Sequence, residues 1–494
     1  MNRLVVVSNR VPAPSGGSSA GGLAVALDGL MRKRGGVWFG WSGRVAEESG
    51  TAPNVVTADK VAYATIDLTP EEHDRYYSNF SNGVLWPLLH TMPNLIAYDR
   101  RDAQVYRDVN ARIAASLMPM LRANDLIWVH DYHLLALPGL LRNQGVRNPI
   151  GFFLHIPFPG LDILSSVPEA SELVRDLLFA DLIGFQTDRD LENFAAAAQE
   201  IGGGTISGSW VHVGGRRVRL GVFPVEIDAN EFAATAARAW RSAHTDALRR
   251  SLLGRKLILG IDRLDPSKGL LQRLTGYRRL LETQPGWRRR VTFLQIAAVS
   301  RKDVSSYQDL RVALDQESGL INSEYGDPDW MPLRIVARGG ARNVVAGYMR
   351  EAQVGYITPL RDGMNLVAKE YVAAQDPADP GVLILSKFAG AARQLETALL
   401  VNPHDPDDMA EALDRALRME LPERRARWLA MWNVLQQTSP LDWGRSFLAA
   451  LLRAVLVADQ LAAGRPRVRF ERPAEPISLV RGGLEQAGRP RQIQ

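Results

Sequence analysis

The sequence predicts an α/β fold of two doubly wound parallel sheets, on three observations. Short apolar, β-branched runs alternate with longer amphipathic stretches, the βαβα pattern of parallel sheets. The 494 residues exceed what one hydrophobic core ordinarily supports. The alternation breaks once, near 225–250, where Val222-Phe-Pro-Val-Glu226 leads into an Ala/Arg-rich helix and a fresh strand at Lys256. Two Rossmann-like domains follow, 1–228 and 229–440, with 441–463 expected as a helix crossing back to the first and 464–494 as a disordered basic tail.

Strands are expected at 4–7, 126–129, 150–155 and 182–185 in the first half, and at 257–261, 291–296, 334–336, 354–358 and 382–385 in the second. Most are followed by polar residues and then a helical period, so chemistry should gather at their carboxyl ends. After the first strand come Ser8-Asn9-Arg10 and then Gly21-Gly22, where a ligand's phosphate or sugar could approach the backbone, although a tight loop explains two glycines equally well. Trp38-Phe-Gly-Trp41-Ser-Gly43 and the segment 74–87, with Tyr76, Tyr77, Phe80 and Trp86, are dense in aromatics of the kind that stack on sugars. They match no strand, and a packed loop is their plain alternative.

Three of only eight histidines fall in Trp128-Val-His130-Asp131-Tyr-His133 and Phe153-Leu-His155. A metal site would want a second His or a Glu at helical spacing, which is lacking, so no metal is expected. His130 and His133 read as core histidines with satisfied nitrogens. His155 and Asp131, at strand tips, could touch a sugar.

In the second half, Asp262-Arg263-Leu-Asp-Pro-Ser-Lys268-Gly269 sets two cations on one strand-end loop before a helix. Fixed cations there suit a diphosphate, whose negative charge grows as a nucleotide-sugar bond breaks. Another strand end leaves Arg301, which could clamp a further anion with Arg10. Thr358-Pro-Leu-Arg-Asp362-Gly-Met-Asn-Leu-Val-Ala-Lys-Glu370 turns a strand into a helix near Asn365 through an Asp-Gly step. Helix-start N–H groups favour phosphate, while Asp362 and Glu370 can accept from sugar hydroxyls; phosphate plus polyol means a nucleotide sugar.

Composition narrows the partners. The formal charge is +5, yet residues 464–494 hold seven Arg against three Glu, so the remainder is close to neutral and lacks a nucleic-acid-binding face. The absence of cysteine removes disulfides, thiolate metal sites and Cys nucleophiles, and suits a reducing cytoplasm. The first seven residues are too short and strand-like for a signal peptide, and no apolar run would span a bilayer. The expectation is a cytoplasmic protein with small-molecule substrates and neither nucleic acid nor membrane as partner.

Taken together these motifs resemble the trehalose-6-phosphate synthase family, retaining glucosyltransferases of the GT-B fold, over about 3–450. The resemblance rests on the stretches 4–10, 20–24, 38–43, 76–87, 129–134, 153–159, 263–269 and 358–375. It implies UDP-glucose as donor, glucose 6-phosphate as acceptor, no cofactor or metal, and a homo-oligomer. It places Arg10, Tyr77 and Arg301 on the acceptor phosphate, Asp131 on the acceptor sugar, and Trp41 and Trp86 beside it. On the donor it places Gly21, Gly22, His155, Arg263, Lys268, Gly340, Asp362, Leu366, Val367, Ala368, Lys369 and Glu370, the last on the ribose. Arg263, Lys268, His155 and Asp362 are the catalytic set it implies. Pro266 and Gly340 depart from the family pattern, and Gly340 bears on the choice between uracil and guanine. A glycerol 3-phosphate glucosylating relative and a silent sugar-phosphate sensor are the alternatives; the sensor expects loss of Arg263, Lys268 or Glu370, all present.

Overall fold

The structure is a computed structural model that describes residues 2–12, 22–48, 50–301 and 303–462. Gly21 and the expected tail lie outside those residues. The first sheet contains β1 (Leu4–Arg10), β2 (Gly36–Val45), β3 (Asn54–Ala58), β4 (Val61–Leu68), β5 (Leu126–His130), β6 (Ile150–Phe153), β7 (Leu182–Phe185), β8 (Thr205–Ser207), β9 (Trp210–Val213) and β10 (Arg216–Val222), in the order β3-β4-β2-β1-β5-β6-β7-β10-β9-β8. Its centre is parallel and antiparallel hairpins close both edges. The second sheet is wholly parallel: β11 (Lys256–Arg263), β12 (Val291–Ala298), β13 (Leu333–Val336), β14 (Val354–Ile357), β15 (Val382–Ser386) and β16 (Leu399–Val401), in the order β13-β12-β11-β14-β15-β16.

In each sheet the winding direction reverses once, between β1 and β5 in the first and between β11 and β14 in the second. Loops leave the strand ends in opposite directions at such a reversal and open a crevice. Separate apolar clusters fill the two faces of each sheet. The helix Pro440–Ala462 lies on one face of the first sheet, where Trp443, Phe447 and Leu451 join Leu4, Trp128 and Leu182. Gly151 and Gly184 make that docking possible, because a Cβ on either would stand 2.6 or 2.7 Å from the Phe447 ring. Burying a phenylalanine side chain contributes about 2 kcal/mol.

Strands β3, β4, β8, β9, β10 and β16 are not among those expected, and two further stretches differ from the sequence reading. The 38–43 segment is part of β2, beside the central strand, with Trp38 Nε1 donating to Ser8 Oγ at 2.8 Å; its glycines hid the strand because Gly40 meets the Ser8 carbonyl oxygen, where a Cβ would lie only 2.0 Å away. The 74–87 segment is helical, not a loop: a helix starts at Pro70, continues as a π-helix over His73–Leu85 and ends in Trp86–Leu89. Its start carries a capping box, Thr69 and Glu72 each bonding the other's backbone N–H, with Pro70 at the first helical position.

Candidate active site

The crevice of the second sheet is built from the loops after β11 and β14. Beyond β11, Asp265 caps a short 3-10 turn by accepting from the Ser267 N–H and Oγ, and Gly269 (φ 64°) starts the following helix. Arg263 on this loop is 45% exposed, whereas Lys268 folds inward and donates to Asp362 Oδ2 at 2.5 Å. Asp362 also accepts from Asn365 Nδ2 at 3.0 Å, so the two loops are joined through one carboxylate. Asn365 itself takes φ 75° and caps the helix Leu366–Ala374, its Oδ1 accepting from the Ala368 N–H. That leaves Leu366 and Val367, among the described residues, with unpaired N–H groups at the helix start. Gly363, expected as a turn-former, instead permits a close approach of the lobes, since a Cβ there would lie 2.1 Å from the carbonyl oxygen of His155 in the first lobe.

Further along the helix, Glu370 is partly buried with its carboxylate 3.8 Å from Arg342, and burial outweighs that guanidinium to raise its pKa to about 7. Gly340 lies on the exposed loop before the Arg342–Glu351 helix. The Lys369 side chain is engaged within the protein. Its side chain is fully buried and donates to Glu226 Oε2 at 2.7 Å and to the Val225 carbonyl at 2.8 Å. It points at the connection between the lobes and away from the crevice, because Glu226, 5% exposed, requires a cation.

Arg273 is a second buried cation, unnoticed in the sequence. It donates to Asp262, Gln295, Thr358 and the Lys268 carbonyl, knitting three strand ends together.

On the first lobe, Arg10 leaves β1 and lies 5.8 Å over the Trp41 ring. Trp41 meets Tyr77, and Tyr77 stacks on His133 with centroids 5.9 Å apart. Asp131, just past β5, holds φ 75° and ψ 170°, a region almost reserved for glycine. The distortion lets its Oδ1 accept the His155 N–H at 3.2 Å, while burial raises its pKa to about 6. His155 ring Nε2 lies 3.0 Å from His130 Nδ1, and burial pushes the His155 pKa down to about 3. His133 and His130 depart from expectation, since both ring nitrogens of His133, and Nε2 of His130, are buried without a partner among the described residues.

The two lobes meet directly. Arg301, 7% exposed, stacks 3.9 Å over Trp86 and donates to the hydroxyls of Tyr132, at 2.9 Å, and Tyr307. Tyr132 in turn donates to Asn82. Asp265, wholly buried, accepts from Trp86 Nε1 at 3.2 Å and Tyr307 at 3.0 Å, with Arg301 at 3.5 Å and Arg263 at 3.9 Å. The fold thus unites Arg263, Lys268, Asp362, Trp86 and Arg301 around one cleft, with His155 touching Gly363 from across it. Asp265, Tyr132, Tyr307 and Asn365 complete it unannounced; Asp265 stood inside the 263–269 motif, but a carboxylate among cations carried no separate signal.

The profile of glycosyltransferase family 20 matches residues 4–453. The chain belongs to that family. Among family 20 relatives, the trehalose-6-phosphate synthase of Sinorhizobium fredii is 46% identical over 453 residues, 91% of this chain and 98% of that protein. A UDP-forming alpha,alpha-trehalose-phosphate synthase from Burkholderia xenovorans, solved in complex with glucose-6-phosphate, is 46% identical with a TM-score of 0.89, covering 91% of this chain and all of the other. The Escherichia coli structure bound with UDP-2-fluoro glucose is 42% identical, TM-score 0.87, covering 91% and 99%. The two facing sheets are accordingly the GT-B arrangement of family 20. Among the described residues no group of three or more His, Asp or Glu could hold a metal ion, and no helix is long and apolar enough to cross a membrane.

Proposed function

We propose that this family 20 enzyme transfers glucose from UDP-glucose to glucose 6-phosphate with retention, forming α,α-trehalose 6-phosphate and UDP. The observation that carries the reading is the meeting, across the cleft, of Arg263 and Arg301 of the second lobe with Trp86 and Tyr132 of the first, beside the Lys268–Asp362 pair. A cationic pocket at the switch point of one sheet thereby faces an aromatic, cationic wall shared by both lobes.

In this reading the diphosphate lies against Arg263, Lys268 and the free N–H groups of Leu366 and Val367, and the ribose hydroxyls donate to Glu370. Glucose sits between Asp362 and His155. The acceptor phosphate takes Arg10, Tyr77 and Arg301, with Asp131 accepting from an acceptor hydroxyl and Trp41 and Trp86 bordering it. Gly22 and Gly340 line the donor. Lys268 and Arg301 already hold protein partners, so substrate oxygens would exchange with Asp362 and the tyrosines.

Retention needs a double displacement or a same-face substitution; Asp131 and Asp362, the carboxylates beside His155, are taken here by acceptor and glucose hydroxyls, which favours the same-face route. The C1–O bond to the diphosphate breaks, the acceptor C1 hydroxyl oxygen bonds to the glucose C1 on the same face, and its proton passes to the departing phosphate oxygen. The protein supplies position and charge stabilisation. We extend the proposal to a cytoplasmic homo-oligomer needing no metal or cofactor. Incubating purified protein with UDP-glucose or GDP-glucose, and with glucose 6-phosphate or glycerol 3-phosphate, tests the assignment by release of UDP or GDP and by product mass in the presence of a chelator. Light scattering tests the assembly. Turnover only with glycerol 3-phosphate, or with no pair, would reject it.

A further inference from the structure

We infer that His130 fixes the tautomer of His155, so that His155 offers a neutral Nδ1–H donor to the cleft. The inference deepens the proposed function by giving His155 its hydrogen-bonding polarity, and it rests on that reading for the identity of what His155 touches. His130 Nδ1 and His155 Nε2 are 3.0 Å apart, so one nitrogen carries a proton and the other a lone pair. Burial disfavours the charged form of both rings, which leaves a single proton on that contact.

Its location follows from the other side of His130. That ring is fully buried, packed at 4.5 Å against Trp128 and at 6.4 and 6.3 Å against Phe153 and Trp443, and its Nε2 has no partner among the described residues. A proton on Nε2 would strand an N–H among aromatic rings whose own polar atom, Trp128 Nε1–H, is a donor that also lacks a partner among the described residues. A proton on Nδ1 strands only a lone pair, the milder fault, and makes a good bond to His155. His130 Nδ1–H therefore donates, His155 Nε2 accepts, and the one proton of neutral His155 must sit on Nδ1. His155 is partly exposed, and Nδ1 is the ring nitrogen left for a ligand.

A neutral donor suits this place. It can hold a sugar oxygen without adding positive charge beside a carbon where positive charge develops as the glycosidic bond breaks. His130 touches no substrate; it is a positioning residue.

The test is nitrogen NMR of the full-length chain labelled with 15N-histidine, without substrate at neutral pH, with His155 and His130 assigned from the spectra of His155→Gln and His130→Asn. The expected result is a protonated Nδ1 and a bare Nε2 on both residues. A proton on Nε2 of His155 overturns the inference. Kinetics add a second arm. His130→Asn keeps an N–H near the Nδ1 position and should stay within about threefold of wild-type kcat. His130→Phe should lose about tenfold or more with KM for glucose 6-phosphate unchanged, the scale typical of an orienting partner. Equal kcat in the two variants overturns the inference. The tautomer is read without substrate, so a wild type inert toward UDP-glucose would strike the proposed function alone, and an active enzyme with the opposite tautomer would strike this inference alone.

Discussion

Trp86 Nε1 donates to Asp265 Oδ1 at 3.2 Å, one hydrogen bond joining a helix of the first lobe to the Arg263–Gly269 loop of the second. Burial works to raise the Asp265 pKa, but Arg301, Arg263 and Lys268 outweigh it and hold the carboxylate below its ordinary range. Asp265 is thus the anion around which the cations of both proposed substrate sites are arranged.

Replacing it by Asp265→Asn keeps the size and removes the charge, leaving Arg301 and Arg263 to repel one another. Removing one partner of a buried ionic group costs about 3 kcal/mol, or about 100-fold. We expect that loss in urea unfolding, and beside it a lower kcat/KM for glucose 6-phosphate, most of it in KM, by steady-state kinetics. Trp86→Phe, which keeps a ring under Arg301 but loses the Nε1–H, should show a smaller loss in the same direction. An unchanged KM in both would remove Asp265 from the acceptor site.

Arg263 is the exposed cation of the loop, 3.9 Å from Asp265 and 5.5 Å over Trp86. As a leaving-group stabiliser it should matter most when charge builds on the diphosphate. Arg263→Ala is expected to lower kcat by about 100-fold, equivalent to about 3 kcal/mol, while KM for glucose 6-phosphate changes little. Equal losses in turnover and acceptor affinity would place Arg263 elsewhere.

The sequence made the parallel strands legible, since buried parallel strands are apolar runs in their own right. It hid β2, whose glycines weaken the β-branched signal, and the helix from Pro70, whose dense aromatics mask its capping box. Among the motifs, Arg263, Lys268 and Asp362 were readable because cations and an Asp-Gly step at strand ends have a chemical meaning. The direction of a side chain is set by packing, and for that reason Lys369 misled: local spacing could not reveal Glu226, 143 residues away. Arg273 and Asp265 were unreadable for the same reason, each being defined by partners from distant strands.

Glu370 gives a pH prediction. Its pKa, raised to about 7 by burial against the pull of Arg342, leaves much of it protonated near neutrality. A raised carboxylate pKa means the neutral form dominates below about 7 and the charged form above it. Only the charged form accepts from both ribose hydroxyls, so UDP should bind more tightly as pH rises through about 7, with proton release in calorimetry buffers of different ionisation enthalpy. Glu370→Gln should flatten that dependence, leaving the ionisation of UDP's own phosphate common to both proteins. Identical pH profiles would take Glu370 off the ribose.

The buried pair of Lys369 and Glu226 predicts a stability effect where a donor ligand would predict an affinity effect. Lys369→Met strands a carboxylate that, among the described residues, only Gln394 Nε2, at 2.8 Å, would still bond, and should cost about 3 to 5 kcal/mol in urea unfolding. Lys369→Met with Glu226→Leu should recover most of the loss, because the stranded charge is gone. A stable Lys369→Met with weakened UDP binding would return this lysine to the donor site.

Gly363 offers the sharpest test of how the lobes meet. A Cβ there would sit 2.1 Å from the His155 carbonyl oxygen and 3.0 Å from the Ile156 Cα, backbone atoms that cannot swing aside as a side chain would. Gly363 is not in a left-handed conformation, so Gly363→Ala adds no local strain and acts through the lobe contact alone. The two lobes must part by more than an ångström to admit the methyl group, which carries Arg263 and Lys268 away from Trp86 and Asp131. Positioning errors of about 1 Å cost about 100-fold in rate. Gly363→Ala should therefore lose about that much in kcat while binding UDP nearly as well as wild type, since the donor-side cations all belong to the second lobe. Small-angle scattering should show a larger radius of gyration with both substrates bound. Full kcat in Gly363→Ala would mean that the chemistry proceeds without this contact.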